Sequence, residues 1–390
     1  MKGLYTLPGK PEIVFGAGTF TLLPGLIKPY GTNALVVMGS RSFQDSKYRE
    51  MLQEGLLLNG IRFIITQISH EPTPQMIDKV TDLYRNEDIE VVVAIGGGSV
   101  LDAGKAISAM LPREDSVIRY LEDVGEKVHD GQKVPFIAVP TTSGTGSEAT
   151  KNAVICQHGE KGFKKSLRHD RFIPEVALVD PELTVSCPQL LTAQCGLDAF
   201  SQLLEGFTST QATLVTDSLA LPALVCAGRS LVHACNDGGD IKARTDMAYA
   251  SLVSGIVLAN AGLGLIHGLA SAIGGLYDIP HGVICGTLLG VINRLNINKL
   301  ISQDRESVYL IKYAETGRIF CGEVNRSTEY YALYLADKLD ELVESLHIPK
   351  LGTIGAADPD MEKIISLSGH KNNPVKLTDE EIITALSQRI

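Results

Sequence analysis

The sequence predicts an α/β first half, built on a parallel doubly wound sheet, followed by an all-helical second half. In the first half, short β-branched runs alternate with amphipathic stretches, and no two-residue hairpin turn separates them. Parallel strands need helical crossovers, so this alternation is typical of a parallel sheet covered by helices. From about residue 192 onward the apolar pattern is long and helical. We therefore expect two domains, 1–185 and 186–390, with the boundary near Pro181 and Pro188.

Each element is predicted from its hydrophobic period. The predicted strands are 34–38, 62–68, 91–95 and 135–140, with helices at 45–59, 75–87 and 101–110. In the second half, helices are predicted at 190–208, 213–235, 240–260, 305–320 and 327–346. Thr378 and Glu381 have the capping-box spacing, which predicts the start of a last helix.

Composition excludes several classes of function. The 390 residues include 35 basic and 45 acidic ones, and a net charge of −10 argues against binding a nucleic-acid backbone. The seven cysteines are odd in number and form no CxxC pair, which indicates reduced thiols. No export signal is visible at the N-terminus, so we expect a cytoplasmic protein.

One segment is long enough to span a membrane. Residues 247–277 contain no Asp, Glu, Lys or Arg, but they do contain six glycines, Asn260 and His267. Glycines and an interior histidine suit buried helices that line a site better than a lipid-facing rod. We therefore expect no contact with a membrane.

Two glycine-containing loops follow predicted strands directly. Residues 96–99 read GGGS and lead into a helix, and such a strand-to-helix turn can bind a pyrophosphate through free backbone N–H groups. Residues 140–148 read PTTSGTGSE and supply hydroxyl donors at a second strand end, although a loop that merely caps the next helix is an alternative. Gly16 and Gly18 lack a following βα context, so they are interpreted as a turn.

The helical half contains a candidate metal site. Asp198 lies among apolar residues in a predicted helix, and a buried carboxylate needs a partner or a cation. Gln202 lies one turn further along the same face, while His267 and His281 fall in or just after the uncharged segment. Two oxygens and two imidazoles suit Fe²⁺, Zn²⁺ or a neighbouring transition metal.

These motifs together resemble those of the iron-containing, or group III, alcohol dehydrogenases. The resemblance covers about residues 5–300 and rests on GGGSVLDAGK (96–105), PTTSGTGSE (140–148), DPEL (180–183), GLDAF (196–200) and GLGLIHGLASAIGGLYDIPHG (262–282). It implies an architecture like that of dehydroquinate synthase, with the active site between the two domains, and a homodimer.

The resemblance also implies roles for individual residues. Those implied to bind the cofactor are Gly97, Gly98, Ser99 and Asp102 at the pyrophosphate, Thr141, Thr142 and Thr145 along the cofactor, and Lys164 and Leu183 near its ribose and adenine. The implied metal ligands are Asp198, the residue four positions later, His267 and His281. This chain departs from the family pattern twice, with Gln202 at the second ligand position and Ser271 in place of a further histidine. Gln is a weaker donor than imidazole towards zinc or iron, which bears on metal affinity.

The end of the second predicted strand bears on the choice of cofactor. NAD-preferring sites commonly place an acidic residue there, whereas this chain has Gly39, Ser40 and Arg41. The missing carboxylate and the nearby guanidinium favour NADP, because Arg pairs well with phosphate. If Arg41 is only a solvated loop charge, either cofactor can bind.

The expected reaction is hydride transfer between a nicotinamide and a small primary alcohol or aldehyde, with Asp198, His267 and His281 as the catalytic metal ligands. The alternatives are a glycerol dehydrogenase-like polyol oxidoreductase, a dehydroquinate synthase, and a metal-free or non-catalytic nucleotide-binding homologue. The last of these is suggested only by Gln202 and Ser271.

Overall fold

The computed structural model describes residues 11–40, 43, 46–159, 162–357 and 359–390, which contain eight strands and thirteen α-helices. The strands are β1 (Glu12–Phe15), β2 (Asn33–Gly39), β3 (Arg62–Ile68), β4 (Val91–Gly96), β5 (Phe136–Pro140), β6 (Asn152–Gln157), β7 (Phe163–Arg168) and β8 (Val176–Val179). The helices of the first half are α1 (Leu23–Ile27), α2 (Lys47–Leu58), α3 (Pro74–Tyr84) and α4 (Gly98–Met110). Those of the second half are α5 (Gln189–Thr208), α6 (Leu214–Asn236), α7 (Ile241–Ala261), α8 (Leu265–Leu276), α9 (His281–Gln303), α10 (Val308–Phe320), α11 (Thr328–Ser345), α12 (Met361–Leu367) and α13 (Asp379–Ser387).

The first half is built on a six-stranded parallel sheet in the order β1-β8-β5-β4-β2-β3. Its central strands are buried throughout, since helices cover both faces, and this explains their continuous apolar sequence. The predicted α/β class with a helical second half is confirmed. From β2 the chain continues to β3 on one side and then returns to β4 on the other. Such a switch point opens a ligand crevice at the carboxyl ends of β2 and β4.

The second half is a cluster of helices around one apolar core. Helix α6 is long and apolar enough to cross a membrane by length and composition, but 44% of its most apolar window is buried inside the structure, where it packs on α5 and α7. The uncharged segment 247–277 forms most of α7 and all of α8, and these two helices meet at 99°. Burial in the core thus explains the apolar character of segment 247–277 and part of that of α6. The capping box predicted at Thr378 and Glu381 is present at the start of α13.

Some elements go beyond what the sequence predicted. The antiparallel pair β6 and β7 was not expected, because β7 reads FKKSLR and its half-exposed side chains give no clear apolar alternation. Helix α9 was not expected as a separate helix. The predicted helix 101–110 begins earlier, at Gly98, so the glycine loop itself forms the first turn of α4.

Candidate active site

A cavity of about 180 Å³ lies between the two halves of the chain. The first half contributes the start of α4, the loop after β5 and strand β7, and the second half contributes α5, α8 and the start of α9. It brings together these residues singled out from the sequence: Gly98, Ser99, Asp102, Thr145, Lys164, Asp198, Gln202, His267, Ser271 and His281. The cofactor motifs and the candidate metal ligands therefore share one cavity.

Helix α5 presents three polar side chains on one buried face. Asp198, Gln202 and Glu205 follow at helical spacing, and each is 5% exposed or less. The Gln202 side-chain oxygen accepts a hydrogen bond from the Ser254 hydroxyl at 2.9 Å. A side-chain hydrogen bond from Gln202 also favours the ionised form of Asp198. Gln202 thus holds the Asp198 carboxylate from one side.

A sharp break between α7 and α8 brings His267 into the cavity. Gly262 has a φ of +66°, a left-handed conformation that favours glycine, and it ends α7. At Gly264 a Cβ atom would lie 2.9 Å from Glu205 Oε1. Glycine therefore leaves room for Glu205, whose carboxylate accepts hydrogen bonds from the backbone N–H of Ile266 at 2.6 Å and from His267 Nδ1 at 2.7 Å.

The Glu205 contact fixes which nitrogen of the His267 ring carries the proton when the ring is neutral, as it is when it ligates a metal. A carboxylate only accepts, so His267 Nδ1 carries the proton and the other nitrogen of a neutral ring carries the lone pair. That nitrogen, Nε2, lies 3.2 Å from Asp198 Oδ1. Burial by itself lowers the pKa of His267, but Cys285 and the two carboxylates raise it well above its usual range.

His281 is the first residue of α9, directly after Pro280, whose fixed backbone suits the position before a helix. Its Nε2 atom lies 3.7 Å from Asp198 Oδ1. Burial lowers the pKa of His281 to about 4, so its imidazole is neutral near pH 7. Burial raises the pKa of Asp198, but His281 and His267 outweigh this effect and lower the pKa to about 2.

The donor set fits a divalent metal ion. Ligand atoms of Asp198, His267, His281 and Cys285 all lie within 4.8 Å of one another. An ionised carboxylate and imidazole nitrogens are donors that zinc and iron accept, and the Glu205 contact to His267 is the outer-shell arrangement found around such ions.

The two loops predicted to bind phosphate pack against each other. A Cβ atom on Gly98 would lie 2.5 Å from Thr145 Cγ2, and one on Gly97 would lie 3.3 Å from Thr142 Oγ1. Glycines thus let the threonine loop approach the start of α4, where free N–H groups attract anions. Gly39 ends β2 beside this loop, and a Cβ atom on it would lie 3.7 Å from Val100 Cγ2. Ser40 follows Gly39 directly. Arg41 lies outside the described residues.

Asp102 faces the cavity, but its carboxylate is already engaged. It accepts hydrogen bonds from the Ser147 hydroxyl at 2.5 Å and from the backbone N–H of Val154 at 3.1 Å. Lys105 is fully buried and donates to the backbone carbonyls of Ser147, Thr150 and Asn152. The polar residues of α4 therefore fasten the glycine loop to the threonine loop and the hairpin.

The remaining cofactor candidates lie on two sides. Lys164 Nζ pairs with both carboxylate oxygens of Glu71, at 2.7 and 2.9 Å, in the wall of the main cavity. Thr141 and Leu183 instead line a second cavity together with Tyr48. The structure therefore separates Lys164 from Leu183, with the metal candidates on the Lys164 side.

Glu71, Glu205 and Cys285 are among the residues of this site that sequence reasoning missed. Cys285 is completely buried, and its thiol lies 3.6 Å from Nε2 of both His267 and His281. Its position one turn after His281 was the available signal, since residues four apart share a helix face. Glu205 could have been found in a similar way, because it follows Asp198 by seven residues, or about two helical turns, on the same face of α5.

Comparison with known proteins agrees with this arrangement. The family model for iron-containing alcohol dehydrogenase matches residues 10–181, and the model for the C-terminal domain of that family matches residues 192–390. A probable alcohol dehydrogenase of Escherichia coli, EutG, is 31% identical over 363 residues, covering 91% of this chain and 86% of the relative.

Two solved structures show the same fold over nearly the whole chain. An archaeal halo-thermophilic alcohol dehydrogenase from a Red Sea brine pool superposes with a TM-score of 0.91 at 27% identity, covering 100% of this chain and 99% of that one. The sulfoacetaldehyde reductase of Bifidobacterium kashiwanohense, solved with NAD⁺, gives a TM-score of 0.85 at 27% identity with the same coverage. By its sequence along both halves and by its fold, this chain belongs to the iron-containing alcohol dehydrogenase family.

Proposed function

We propose that this protein is a metal-dependent, NAD(P)-linked alcohol dehydrogenase that interconverts small primary alcohols and aldehydes. The observation that carries the proposal is that one cavity contains both the glycine-containing start of α4, at Gly98 and Ser99, and the cluster of Asp198, His267 and His281. Family membership and the names of its relatives support the same reaction class.

Each half of the cavity has its own task in this proposal. When bound, a divalent ion supplies Lewis acidity at the substrate oxygen, and a nicotinamide supplies hydride exchange at the substrate carbon. Asp198, His267 and His281 hold the ion, and Glu205 keeps the lone pair of His267 on Nε2. The amide groups at the start of α4 bind the pyrophosphate and set the distance between cofactor and substrate.

Proton transfer has to use a group other than the family's additional histidine. Ser271 lies in the cavity wall, but its hydroxyl donates to the backbone carbonyl of His267 at 2.8 Å. In this arrangement its proton points to that carbonyl and away from the cavity. This supports a route through solvent or a ribose hydroxyl.

For the cofactor, the proposal is a preference for NADP. Gly39 ends β2 at the switch point and offers no carboxylate to a ribose. Among the described residues, a Cβ atom at this position meets Val100 Cγ2 at 3.7 Å, an ordinary van der Waals contact, so Gly39→Asp should be tolerated. We expect Gly39→Asp to weaken NADPH binding at least about tenfold relative to NADH, as judged by fluorescence titration of both. An unchanged ratio would contradict the proposed preference.

Localisation and assembly are also part of the proposal. Seven free thiols support a reducing, cytoplasmic location. Among the strands that the structure describes, β1 and β3 lie at the two edges of the sheet, and pairing of one edge with a second copy would give a homodimer. Light scattering of the purified protein tests the dimer directly.

The reaction class is tested by following oxidation of NADPH and NADH with a series of small aldehydes, before and after removal of metal by a chelator. We expect net cofactor oxidation that is lost with the metal and restored by zinc or ferrous ion. Turnover that survives complete metal removal would support the metal-free alternative and refute the proposal. A lyase of the dehydroquinate synthase type would show no net oxidation of the cofactor.

A further inference from the structure

We infer that Cys285 is the fourth protein ligand of the metal ion, in the place that Gln202 leaves unfilled. The inference rests on the proposed function, because it assumes a metal at Asp198, His267 and His281. It gives this chain a ligand set of one carboxylate, two imidazoles and one thiolate.

The distances around Cys285 match the edges of a tetrahedral site. With metal–sulfur and metal–nitrogen bonds of about 2.3 and 2.05 Å, a tetrahedral angle places sulfur and nitrogen about 3.6 Å apart. Cys285 Sγ lies 3.6 Å from Nε2 of His267 and 3.6 Å from Nε2 of His281. The same construction places oxygen and nitrogen ligands about 3.3 Å apart. The observed separations from Asp198 Oδ1 are 3.2 and 3.7 Å.

Gln202 is held by two polar contacts. Its side-chain oxygen, the atom with which a Gln ligates a metal, already accepts one hydrogen bond from the Ser254 hydroxyl, which ties this oxygen to α7 and leaves it one lone pair. Its amide group donates, so towards Asp198 it offers a proton and no lone pair. The loss of a ligand at position 202 is therefore compensated by a residue on a different helix, α9 instead of α5.

The position of Cys285 leaves the reacting side of the site open. Asp198, His267 and His281 border the cavity, whereas Cys285 is 0% exposed and packs within the apolar core of the helical half. A ligand from the core side leaves the cavity side free for a substrate oxygen as a fifth ligand. On binding, the thiol gives up its proton to solvent as the metal–sulfur bond forms.

A thiolate in the ligand set affects which metal ion the site prefers. A thiolate is a softer donor than the amide oxygen of Gln or a water molecule, and it favours zinc over harder ions such as magnesium or manganese. A single sulfur among oxygen and nitrogen ligands also gives a spectroscopic signature that activity measurements do not provide.

The test is to load the full-length protein with Co²⁺ and record its absorption, and to load it with Zn²⁺ and record its X-ray absorption at the zinc edge. We expect a thiolate-to-cobalt charge-transfer band in the near ultraviolet and one sulfur at about 2.3 Å from zinc. Both signals should be absent from Cys285→Ser and present in Cys235→Ser. Cys235 is also buried in the helical core, but it lies outside the cluster.

Metal affinity gives a second readout, measured by competition with a chelator. Loss of an outer-shell partner already costs about 10–100-fold in affinity, so loss of this ligand should cost at least about 100-fold. If Cys285→Ser does not fold, the spectra of the unmodified protein still decide the question.

The outcomes separate this inference from the proposed function. Metal bound in a shell of nitrogen and oxygen alone, with affinity unchanged in Cys285→Ser, would overturn the thiolate ligand while the dehydrogenase proposal stands. Failure of the unmodified protein to bind any divalent ion would overturn both.

Discussion

Replacing Glu205 by Gln should damage the metal site even though the side chain keeps its size. In the native protein one carboxylate oxygen accepts from the backbone N–H of Ile266 and the other accepts from His267 Nδ1. Gln has one acceptor and one donor, so it can satisfy only one of these contacts. If its oxygen faces Ile266, its amide faces Nδ1, and the proton of His267 has to move to Nε2. The imidazole then has no lone pair for the metal.

The opposite orientation of the new amide carries a different cost. Its NH₂ group would then face the backbone N–H of Ile266 inside a buried pocket, since Glu205 is only 5% exposed. An unsatisfied buried donor costs about 1–3 kcal/mol. Outer-shell changes of this kind typically lower metal affinity about 10–100-fold, which is about 1.4–2.7 kcal/mol. The unsatisfied donor would lower the stability of the fold, and the outer-shell change would lower metal affinity, so we expect Glu205→Gln to lose at least about tenfold in metal affinity.

The assay is competition between Glu205→Gln and a chelator for zinc, with binding of NADPH as a measure of intact folding. Glu315→Gln, at an exposed position on α10, is the matched control and should bind zinc as the unmodified protein does. We expect cofactor binding to be retained in both variants, since Glu205 lies in the helical half. Glu205→Gln with native zinc affinity and native thermal stability would refute the assignment of Nε2 as the ligand atom.

Two further predictions concern the first half of the chain. Gly98→Ala places a methyl group 2.5 Å from Thr145, so we expect cofactor affinity to fall at least about tenfold. In the control variant Gly25→Ala, the methyl group meets no described atom within 4 Å, and the cofactor should bind normally. Equal affinities of the two variants in a titration would contradict the role of the glycine loop. Burial raises the pKa of Glu148 from 4.5 to about 7. Between these pH values the native state therefore binds one proton more than the unfolded state, and the free energy of unfolding falls by about 3 kcal/mol as the pH rises through them. Glu148→Gln should therefore be more stable than the native protein in urea unfolding at pH 8 but similar to it at pH 4, and a gain of equal size at both pH values would exclude this explanation.

Much of this site could be predicted from the sequence, because its parts follow local rules. The loops at 96–99 and 140–148 come directly after apolar strands, and strand ends of a parallel sheet converge on one edge. Asp198 was identifiable as a carboxylate in an apolar helix. The structure places it with His267 and His281, although these residues come from three different helices.

What could not be predicted depends on the angles between helices. The contact of Cys285 with His281 follows from their spacing of four residues on α9, whereas its contact with His267 depends on the packing of α8 against α9. The function of Glu205 depends on the sharp turn at Gly262, which a sequence pattern does not reveal. The β6 and β7 hairpin was missed for a different reason, since its half-exposed strands show no regular apolar period.

The central claim is that catalysis depends on a metal ion held by Asp198, His267 and His281. It is tested most directly by measuring metal content by mass spectrometry, together with aldehyde-dependent oxidation of NADPH, on the same preparations of native protein and Asp198→Ala purified anaerobically without chelators. We predict about one equivalent of zinc or iron per native chain, with metal and turnover both lost in Asp198→Ala while NADPH still binds. Native turnover in Asp198→Ala, or turnover in a native protein without metal, would contradict the account.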